Sequence, residues 1–281
     1  MPTMNDTASQ RDPLAVRGLA MLGSPVIGTL ELVGGVSHLL ADVAAWVVRA
    51  LVLRQVRFGW AALYQQMVRI GERSIGIIFL ASACIGLILV LQMAPPLADF
   101  GQTDKVANVN AVAVLRELGP LISAIVLTGF AGAAIAAELG TMVVGEEIEA
   151  LEVMGLNPVR FLVVPRVLAS VLGLMVLAIV ADFVAIGAGA LMGVTLLDIP
   201  WGVYYQNTLE QAQLSDFLTG VIKAGVFGGL IGSIACHNGL SVSGGAAGVG
   251  NATTRTVVYA IVAIIFADLL FTSLFYVLGW N

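Results

Sequence analysis

Long runs of apolar residues are the feature that most restricts how this sequence can fold. Residues 74–93 contain no charged side chain, and residues 161–197 carry only Arg166 and Asp182. A helix needs about 20 predominantly apolar residues to cross a membrane, whereas the strands of a membrane β-barrel are about ten residues long and alternate in polarity. The sequence therefore predicts an all-α polytopic membrane protein with about five transmembrane helices. The predicted spans are 74–93, 110–141, 161–197, 217–236 and 256–278.

The composition of the chain agrees with this fold class. Hydrophobic residues make up 59% of the 281 residues and charged residues 11%, whereas soluble domains contain about 25% charged residues. The formal net charge is −5. Because nucleic-acid binding relies on excess positive charge, we expect no nucleic-acid partner.

The N-terminal part of the chain differs from the rest. Residues 1–13 are polar, and we expect part of this region to be disordered. Apolar residues then recur at helical spacing within 39–51, beside several arginines, and residues 60–73 repeat this mixture. Such segments are typical of helices that lie in the membrane interface. We divide the chain into an N-terminal extension, 1–58, with an interfacial helix, and a membrane domain, 59–281.

The apolar run at 161–197 is too long for one perpendicular crossing, so it is either one tilted helix or a hairpin of two. Basic residues favour the cytoplasmic side of a membrane. With the arginine-rich N-terminal region inside, a single crossing leaves the loop at 198–216, which has no Lys or Arg, outside. A hairpin would instead place Arg255 outside. The charges favour one helix, five crossings and a cytoplasmic N-terminus.

A cluster of carboxylates between the second and third spans predicts a short helix in water. Charged side chains at these positions would cost about 2.5–3.5 kcal/mol each in hydrocarbon. Carboxylates are favourable in the first turn of a helix, and Gly155 followed by Pro158 is typical of a helix end. Two interpretations stay open: a helix that docks on a partner protein, and a solvated helix that only links two spans. The carboxylates are Glu146, Glu147, Glu149 and Glu152, and the apolar positions spaced by three are Ile148, Leu151 and Met154.

Small residues are dense in three of the predicted spans, at 129–140, 187–193 and 225–232. Such residues let neighbouring helices approach closely in a membrane. The segment 129–140 has two small faces, one with Gly129, Ala133 and Ala137 and one with Gly132, Ala136 and Gly140. Packing within the chain is our first interpretation of these faces, and a homodimer contact is the alternative.

No motif for catalysis or nucleotide binding occurs in the sequence. There is no GxxxxGK[ST] phosphate loop and no HExxH metal motif. The Gly- and Ser-rich segment HNGLSVSGGAAGVG at 237–250, which contains His237, Ser241 and Ser243, lacks the GxSxG elbow, and we interpret it as a flexible linker. We therefore predict that this chain is not an enzyme.

Charged residues inside the predicted spans are the remaining candidates for function. Buried charges in membranes usually face a partner or a wet cavity. Lys223 is a candidate partner for Glu117 or Glu138, and a purely structural ion pair stays open beside a role in a transport pathway. The charged residues in this group are Arg116, Glu117, Glu138, Asp182, Lys223 and Asp268.

Three segments of the sequence resemble the MlaE/YrbE permease family, whose members are membrane subunits of ABC transporters that work with MCE proteins. These segments are LRELGP at 115–120, AELGTMVVGEEIEALEVMGLNPVRFLVVPR at 137–166 and ATTRTVVYA at 252–260. The resemblance extends from about Trp60 to the C-terminus, and the first 58 residues exceed what short family members carry.

The resemblance implies a permease subunit in the bacterial inner membrane that moves phospholipid or a similar hydrophobic molecule. It implies a homodimer, a cytoplasmic ABC ATPase dimer that would hold ATP and Mg²⁺, and a periplasmic MCE-domain protein, with no cofactor in this chain. Arg116, Glu117 and Lys223 match positions near the family's lipid pathway. The acidic helix matches the coupling helix that contacts the ATPase, through Glu146, Glu147, Glu149, Leu151, Glu152, Met154 and Gly155.

Two other classes of protein stay open from the sequence. A secondary transporter or channel would use the buried charges with an ion gradient and would work without an ATPase. A passive scaffold would assemble with its partners and tolerate the loss of every buried charge.

Overall fold

The computed structural model describes residues 14–49 and 59–279, and this part of the chain is helical and contains no strand. The prediction of an all-α fold is confirmed. Short π-helical turns, Val114–Leu118, Thr128–Gly132 and Val159–Val163, continue the neighbouring α-helices. The α-helices in chain order are α1 Leu14–Val47, α2 Trp60–Asp99, α3 Val106–Ala113, α4 Gly119–Leu127, α5 Ala133–Val144, α6 Glu147–Val153, α7 Val164–Thr195, α8 Trp201–Gln211, α9 Leu214–Leu240 and α10 Gly245–Val277.

Six described segments are long and apolar enough to cross a membrane, so the chain is a polytopic membrane protein. Five of them correspond to the predicted spans, and the sixth lies in α1. The segments are Leu30–Val47, Ser74–Asp99, Thr103–Val144, Val159–Thr195, Leu214–Leu240 and Gly245–Val277.

Helix α2 is longer than the sequence predicted at both ends. We expected residues 60–73 to form a separate surface helix and Pro95 to end the first span. The structure instead has one helix of 40 residues that contains Pro95 and Pro96, which corresponds to a length of about 60 Å. Both prolines lie in its final turns, where few backbone hydrogen bonds are lost. Because hydrocarbon is about 30 Å thick, part of α2 must extend beyond it.

The apolar run at 161–197 forms one helix, as the charges favoured. The π-helical turn Val159–Val163 leads directly into α7, which continues to Thr195. The hairpin alternative is therefore wrong. A single crossing places α6 and α8 at opposite ends of the bundle, which we call the α6 side and the α8 side.

Helix α7 is the centre of the bundle, with α2 parallel to it and α9 antiparallel. Gly86 of α2 packs against the backbone carbonyl of Ala185, and Gly228 of α9 packs against that of Ser170. A side chain at either glycine would overlap a carbonyl group. These glycines therefore set the close spacing of α7 with its two neighbours.

Two connections differ from the sequence prediction. The flexible linker predicted at 237–250 is wrong for most of its length, because α9 continues to Leu240 and α10 already begins at Gly245. The predicted loop at 198–216 contains α8. Asn110 of α3 donates a hydrogen bond to the Tyr204 hydroxyl (3.3 Å), and Asn207 donates one to the carbonyl of Asp104 (2.9 Å). Burial raises the pKa of Tyr204 above its ordinary value.

The second half of α1 contacts the α6 side of the bundle at several points. Gly35 packs against the His237 imidazole. Leu39 packs in a cluster with Val163, and Trp46 lies 5.5 Å from the Arg160 guanidinium. All these partners lie at the α6 ends of their helices, so α1 runs across that end. This contact pattern favours the expected interfacial helix, although Leu30–Val47 has the composition of a span. The expected disorder at 1–13 lies outside the described residues.

Candidate functional site

Lys223 of α9 is the centre of a buried group of charges that joins three helices. Its ammonium nitrogen donates hydrogen bonds to Glu117 Oε2 (2.6 Å), Asp268 Oδ1 (2.9 Å) and Thr272 Oγ1 (2.9 Å). An ammonium has three hydrogens, so all its donors are used. The predicted pairing of Lys223 with Glu117 is confirmed. Asp268, which the sequence indicated only as a charge inside a span, is a second partner. We call Lys223, Glu117 and Asp268 the charge triad.

Exposure differs strongly among the three members of the charge triad. The side chains of Lys223 and Asp268 are 3% and 12% exposed, whereas that of Glu117 is 36% exposed. The triad therefore opens at the surface of the bundle on the Glu117 side. An incoming anion could reach the ammonium only by replacing one of its present acceptors.

Arg116 lies next to Glu117 in sequence and pairs with a different residue. Its Nε donates to Asp216 Oδ1 at 2.5 Å. Asp216 also accepts a hydrogen bond from the backbone of Gln213, as part of the capping box that begins α9. Arg116 and Glu117 therefore have separate partners, in agreement with the angle of about 100° between neighbouring side chains on a helix. Asp216 was missed because nothing local marks it as more than a helix-capping residue.

Both Arg116 and Glu117 lie in the π-helical turn Val114–Leu118. Such wide turns in α-helices are frequent at functional sites. The turn separates α3 from α4 within one continuous span, and it directs these two charges to different neighbours on α9. The sequence LRELGP marks this position, although its helical geometry was not predicted.

A second group of charges joins the α6 ends of three helices. Glu138 of α5 binds Arg69 of α2 (2.5 Å) and Arg166 of α7 (3.4 Å). The alternative pairing of Glu138 with Lys223 is therefore wrong, because they lie at different depths in the bundle. Asp182 of α7 is also buried, and its Oδ1 has no hydrogen-bond partner in the described structure.

The acidic segment forms the predicted helix, α6, which projects from the bundle. Glu147 and Glu149 lie in its first turn, preceded by Glu146 in a left-handed conformation. At its end, Gly155 N–H bonds the carbonyl of Glu152 and Leu156 N–H bonds that of Leu151. This is the Schellman pattern, and the positive φ of Gly155 (73°) allows it. The helix end predicted at Gly155 is confirmed.

The spacing by three suggested a single apolar face on α6. In the structure, the apolar residues do not share one face. Ile148 and Leu151 are half-buried against the bundle. Met154 is 64% exposed, and the neighbouring Val153 is 89% exposed. Because α6 has only seven residues, about two turns, the side chains at its end can face a different direction from those in its first turn. The exposed surface of α6 therefore combines carboxylates with Val153, which the sequence analysis missed, and Met154.

Metal binding finds no support in the described ranges, where no group of three or more His, Cys, Asp or Glu side chains could hold a metal ion.

Arg160, just after α6, contacts the rings of both Trp46 and Phe161. This contact connects α1 to the segment that carries α6.

The fold and these charges define a multi-span helical membrane protein with a projecting acidic helix. Residues 63–274 match the family model described as Permease MlaE. The chain belongs to this permease family.

Individual relatives agree with this family assignment. The chain is 32% identical to "Intermembrane phospholipid transport system permease protein MlaE" of Haemophilus influenzae over 270 residues, which cover 95% of this chain and 100% of the relative. It is 34% identical to a "Probable ABC transporter permease protein" of Rickettsia felis over 76% of this chain and 83% of the relative. It is also 36% identical to "Protein TRIGALACTOSYLDIACYLGLYCEROL 1, chloroplastic" of Arabidopsis thaliana, over 77% and 62%.

Proposed function

We propose that this chain is the permease subunit of an ABC transporter that moves phospholipid, or a similar hydrophobic molecule, to or from a periplasmic MCE-domain protein. It lies in a bacterial inner membrane with its N-terminus and α6 in the cytoplasm. ATP and Mg²⁺ bind to a separate ATPase dimer, and this chain hydrolyses nothing. Family membership supports the class of transporter, and the name of the Haemophilus relative supports phospholipid as the substrate.

The single observation that carries the coupling role is the shape of α6. It projects from the bundle with exposed carboxylates, Val153 and Met154, and both of its ends are fixed by the backbone. A short rigid helix with a mixed acidic and apolar surface suits a groove on another protein. A simple linker would not need an exposed Val153.

Charge reversal in α6 tests this role. We expect Glu147→Lys combined with Glu149→Lys to release the ATPase or to abolish lipid-stimulated ATP hydrolysis, because both carboxylates face the partner. Co-purification and hydrolysis should be measured on the complex in nanodiscs. Glu210→Lys is the matched control, since it reverses an exposed carboxylate on α8 at the opposite end. Unchanged association and hydrolysis in the double variant would reduce α6 to a linker.

The lipid pathway in this proposal includes Arg116, Glu117 and Lys223. An amphiphile needs an apolar path with a polar station for its head group. The half-exposed Glu117 is the accessible member of the charge triad, so a head group would meet it first. We expect Glu117→Gln to lower ATP-driven lipid transfer in proteoliposomes while the ATPase remains bound. Normal transfer by this variant would remove Glu117 from the pathway.

The ATPase requirement separates this proposal from a secondary transporter or channel. In proteoliposomes that contain this chain alone, we expect no lipid transfer under a pH or sodium gradient. Transfer under those conditions would favour the secondary transporter instead. A passive scaffold would show neither activity and would tolerate Glu117→Gln.

A homodimer is supported by one of the two small-residue faces of 129–140, a segment that covers most of the turn Thr128–Gly132 and the first part of α5. On one face, Gly132 packs against α9 and α10, and Gly140 packs against α10 and the connection before it. On the other face, Gly129 is exposed and Ala133 is half-buried. The open face suits close contact with a second copy. Ala133→Cys should form a crosslinked dimer in the membrane when the native cysteines are replaced. Ala136→Cys, on the buried face, should not.

A further inference from the structure

A cavity of about 570 Å³ lies between α7, α8 and the beginning of α9. Its wall is almost entirely apolar and includes Phe183 and Gly187 of α7, Trp201 and Tyr205 of α8, and Phe217 of α9. None of these residues belongs to the charge triad or to α6. The cavity itself is therefore lined by none of the charges named in the proposed function, although Leu115 in its wall is next to Arg116 in sequence.

The cavity extends from the membrane interface into the hydrocarbon region. Trp201 and Tyr205 stack with their ring centroids 6.2 Å apart, and such aromatic residues concentrate at the membrane–water interface. From Ala190 to Phe183, both in the wall, α7 descends by about 10 Å. A lipid chain in the surrounding leaflet has the same direction.

The volume of the cavity suits a lipid chain better than a protein helix. Helices are about 10 Å wide, so each 5.4 Å turn takes up roughly 420 Å³. The cavity would hold little more than one turn. Binding sites for small apolar ligands have volumes of about 300–1,000 Å³. A flexible hydrocarbon chain is therefore the occupant that fits.

A polar pair lies beside the cavity where a head group would be. Leu115, Gln213 and Phe217 are in the wall. Leu115 and Phe217 are the sequence neighbours of the Arg116–Asp216 ion pair, and the Gln213 N–H donates a hydrogen bond to Asp216 Oδ2 (3.3 Å). Arg116 uses Nε in this pair, and within the described residues its two terminal nitrogens make no hydrogen bond to the protein. Guanidinium groups bind phosphate well. The side chain of Arg116 is 29% exposed and that of Asp216 only 2%, so Arg116 is the member of the pair that a lipid phosphate can reach.

We propose that this cavity binds one acyl chain of a glycerophospholipid, with the phosphate of its head group at Arg116. The site deepens the proposed function, on which its role rests: it is where a lipid of the α8-side leaflet is held as it enters or leaves the transporter.

Photochemical labelling tests occupancy of the cavity. The full complex is placed in nanodiscs of phosphatidylethanolamine that contain a small fraction with a photoreactive acyl chain, and labelled peptides are mapped by mass spectrometry. We expect concentrated labelling of α7 around Gly187 and of α8, and competition by excess unlabelled phosphatidylethanolamine. Diacylglycerol with the same photoreactive chain should label the cavity less.

A pair of glycine substitutions makes the test specific. A Cβ at Gly187 or at Gly202 meets no atom within 4 Å, so a side chain can leave the backbone at both positions without a clash at Cβ. Gly187→Leu fills the cavity, and we expect labelling to fall by about tenfold, equivalent to about 1.4 kcal/mol. Gly202→Leu on α8 lies outside the wall and should leave labelling unchanged. Arg116→Gln should remove the preference for phosphatidylethanolamine over diacylglycerol.

The outcomes separate this site from the proposed function. Uniform labelling of all lipid-facing helices, unaffected by Gly187→Leu or by competitor, would overturn the site even if ATP-driven transfer were normal. Crosslinks from the cavity to a partner protein would also overturn it. Conversely, specific labelling together with transfer that needs no ATPase would keep the site and reject the proposed function.

Discussion

Removal of Lys223 should destabilise the bundle strongly, because it leaves two carboxylates without their shared cation. Breaking a buried ion pair by deleting one partner costs about 3–5 kcal/mol. Asp268 is 12% exposed and would bear most of this cost, whereas Glu117 is 36% exposed and can be hydrated. We therefore expect Lys223→Met to lower the free energy of unfolding by about 3 kcal/mol, the lower end of that range.

The assay is denaturant unfolding of the purified chain in detergent micelles, followed by tryptophan fluorescence. The chain has only one other lysine, Lys105, which is exposed, so Lys105→Met is a matched control that should change stability by less than about 0.5 kcal/mol. A neutral triple variant, Lys223→Met with Glu117→Gln and Asp268→Asn, leaves no unpaired charge. It should recover about 2 kcal/mol or more of the loss.

Two results would refute this reasoning. If Lys223→Met were no less stable than Lys105→Met, the charge triad would contribute nothing to the fold. If the triple variant were as unstable as the single one, the cost would come from lost packing and not from unpaired carboxylates. Lipid transfer by a stable triple variant would further show whether the charges serve transport as well as stability.

The remaining predictions concern backbone geometry at three glycines. Gly155→Val should weaken ATPase association, because a β-branched residue at φ 73° costs about 1–2 kcal/mol in the left-handed region; tight association of this variant would contradict a fixed end of α6. Gly228→Ala should destabilise the bundle by about 1–3 kcal/mol, since its Cβ would overlap the backbone of the neighbouring helix. Gly76→Ala, whose Cβ meets no atom within 4 Å, should be neutral or stabilising in the same unfolding assay, and equal effects of the two alanines would exclude close packing as the cause.

The parts of the site that depend on local signals could be predicted from the sequence. The carboxylates and Gly155 lie within one short segment, so both the existence and the end of α6 follow from helix chemistry. Lys223 and Glu117 were recognisable as partners because charges in apolar spans are few and must be neutralised.

Features that depend on tertiary contacts could not be predicted in the same way. Asp216 pairs with Arg116 only because α9 begins beside the π-helical turn, and no pattern in either segment indicates this. Helix α8 was missed because its polar residues resemble a loop until Asn110 and Tyr204 come together. The predicted break at Pro95 was wrong because prolines in the final turns of a helix disrupt little.

Glu138 connects three helices at the α6 end of the bundle. It lies in α5, which only the short turn at Gly145 and Glu146 separates from α6, and it binds Arg69 of α2 and Arg166 of α7 at once. Any force that tilts α5 through α6 must stretch both ionic contacts or carry two neighbouring helices with it. A displacement of the seven residues of α6 would therefore move three helices, α2, α5 and α7, together.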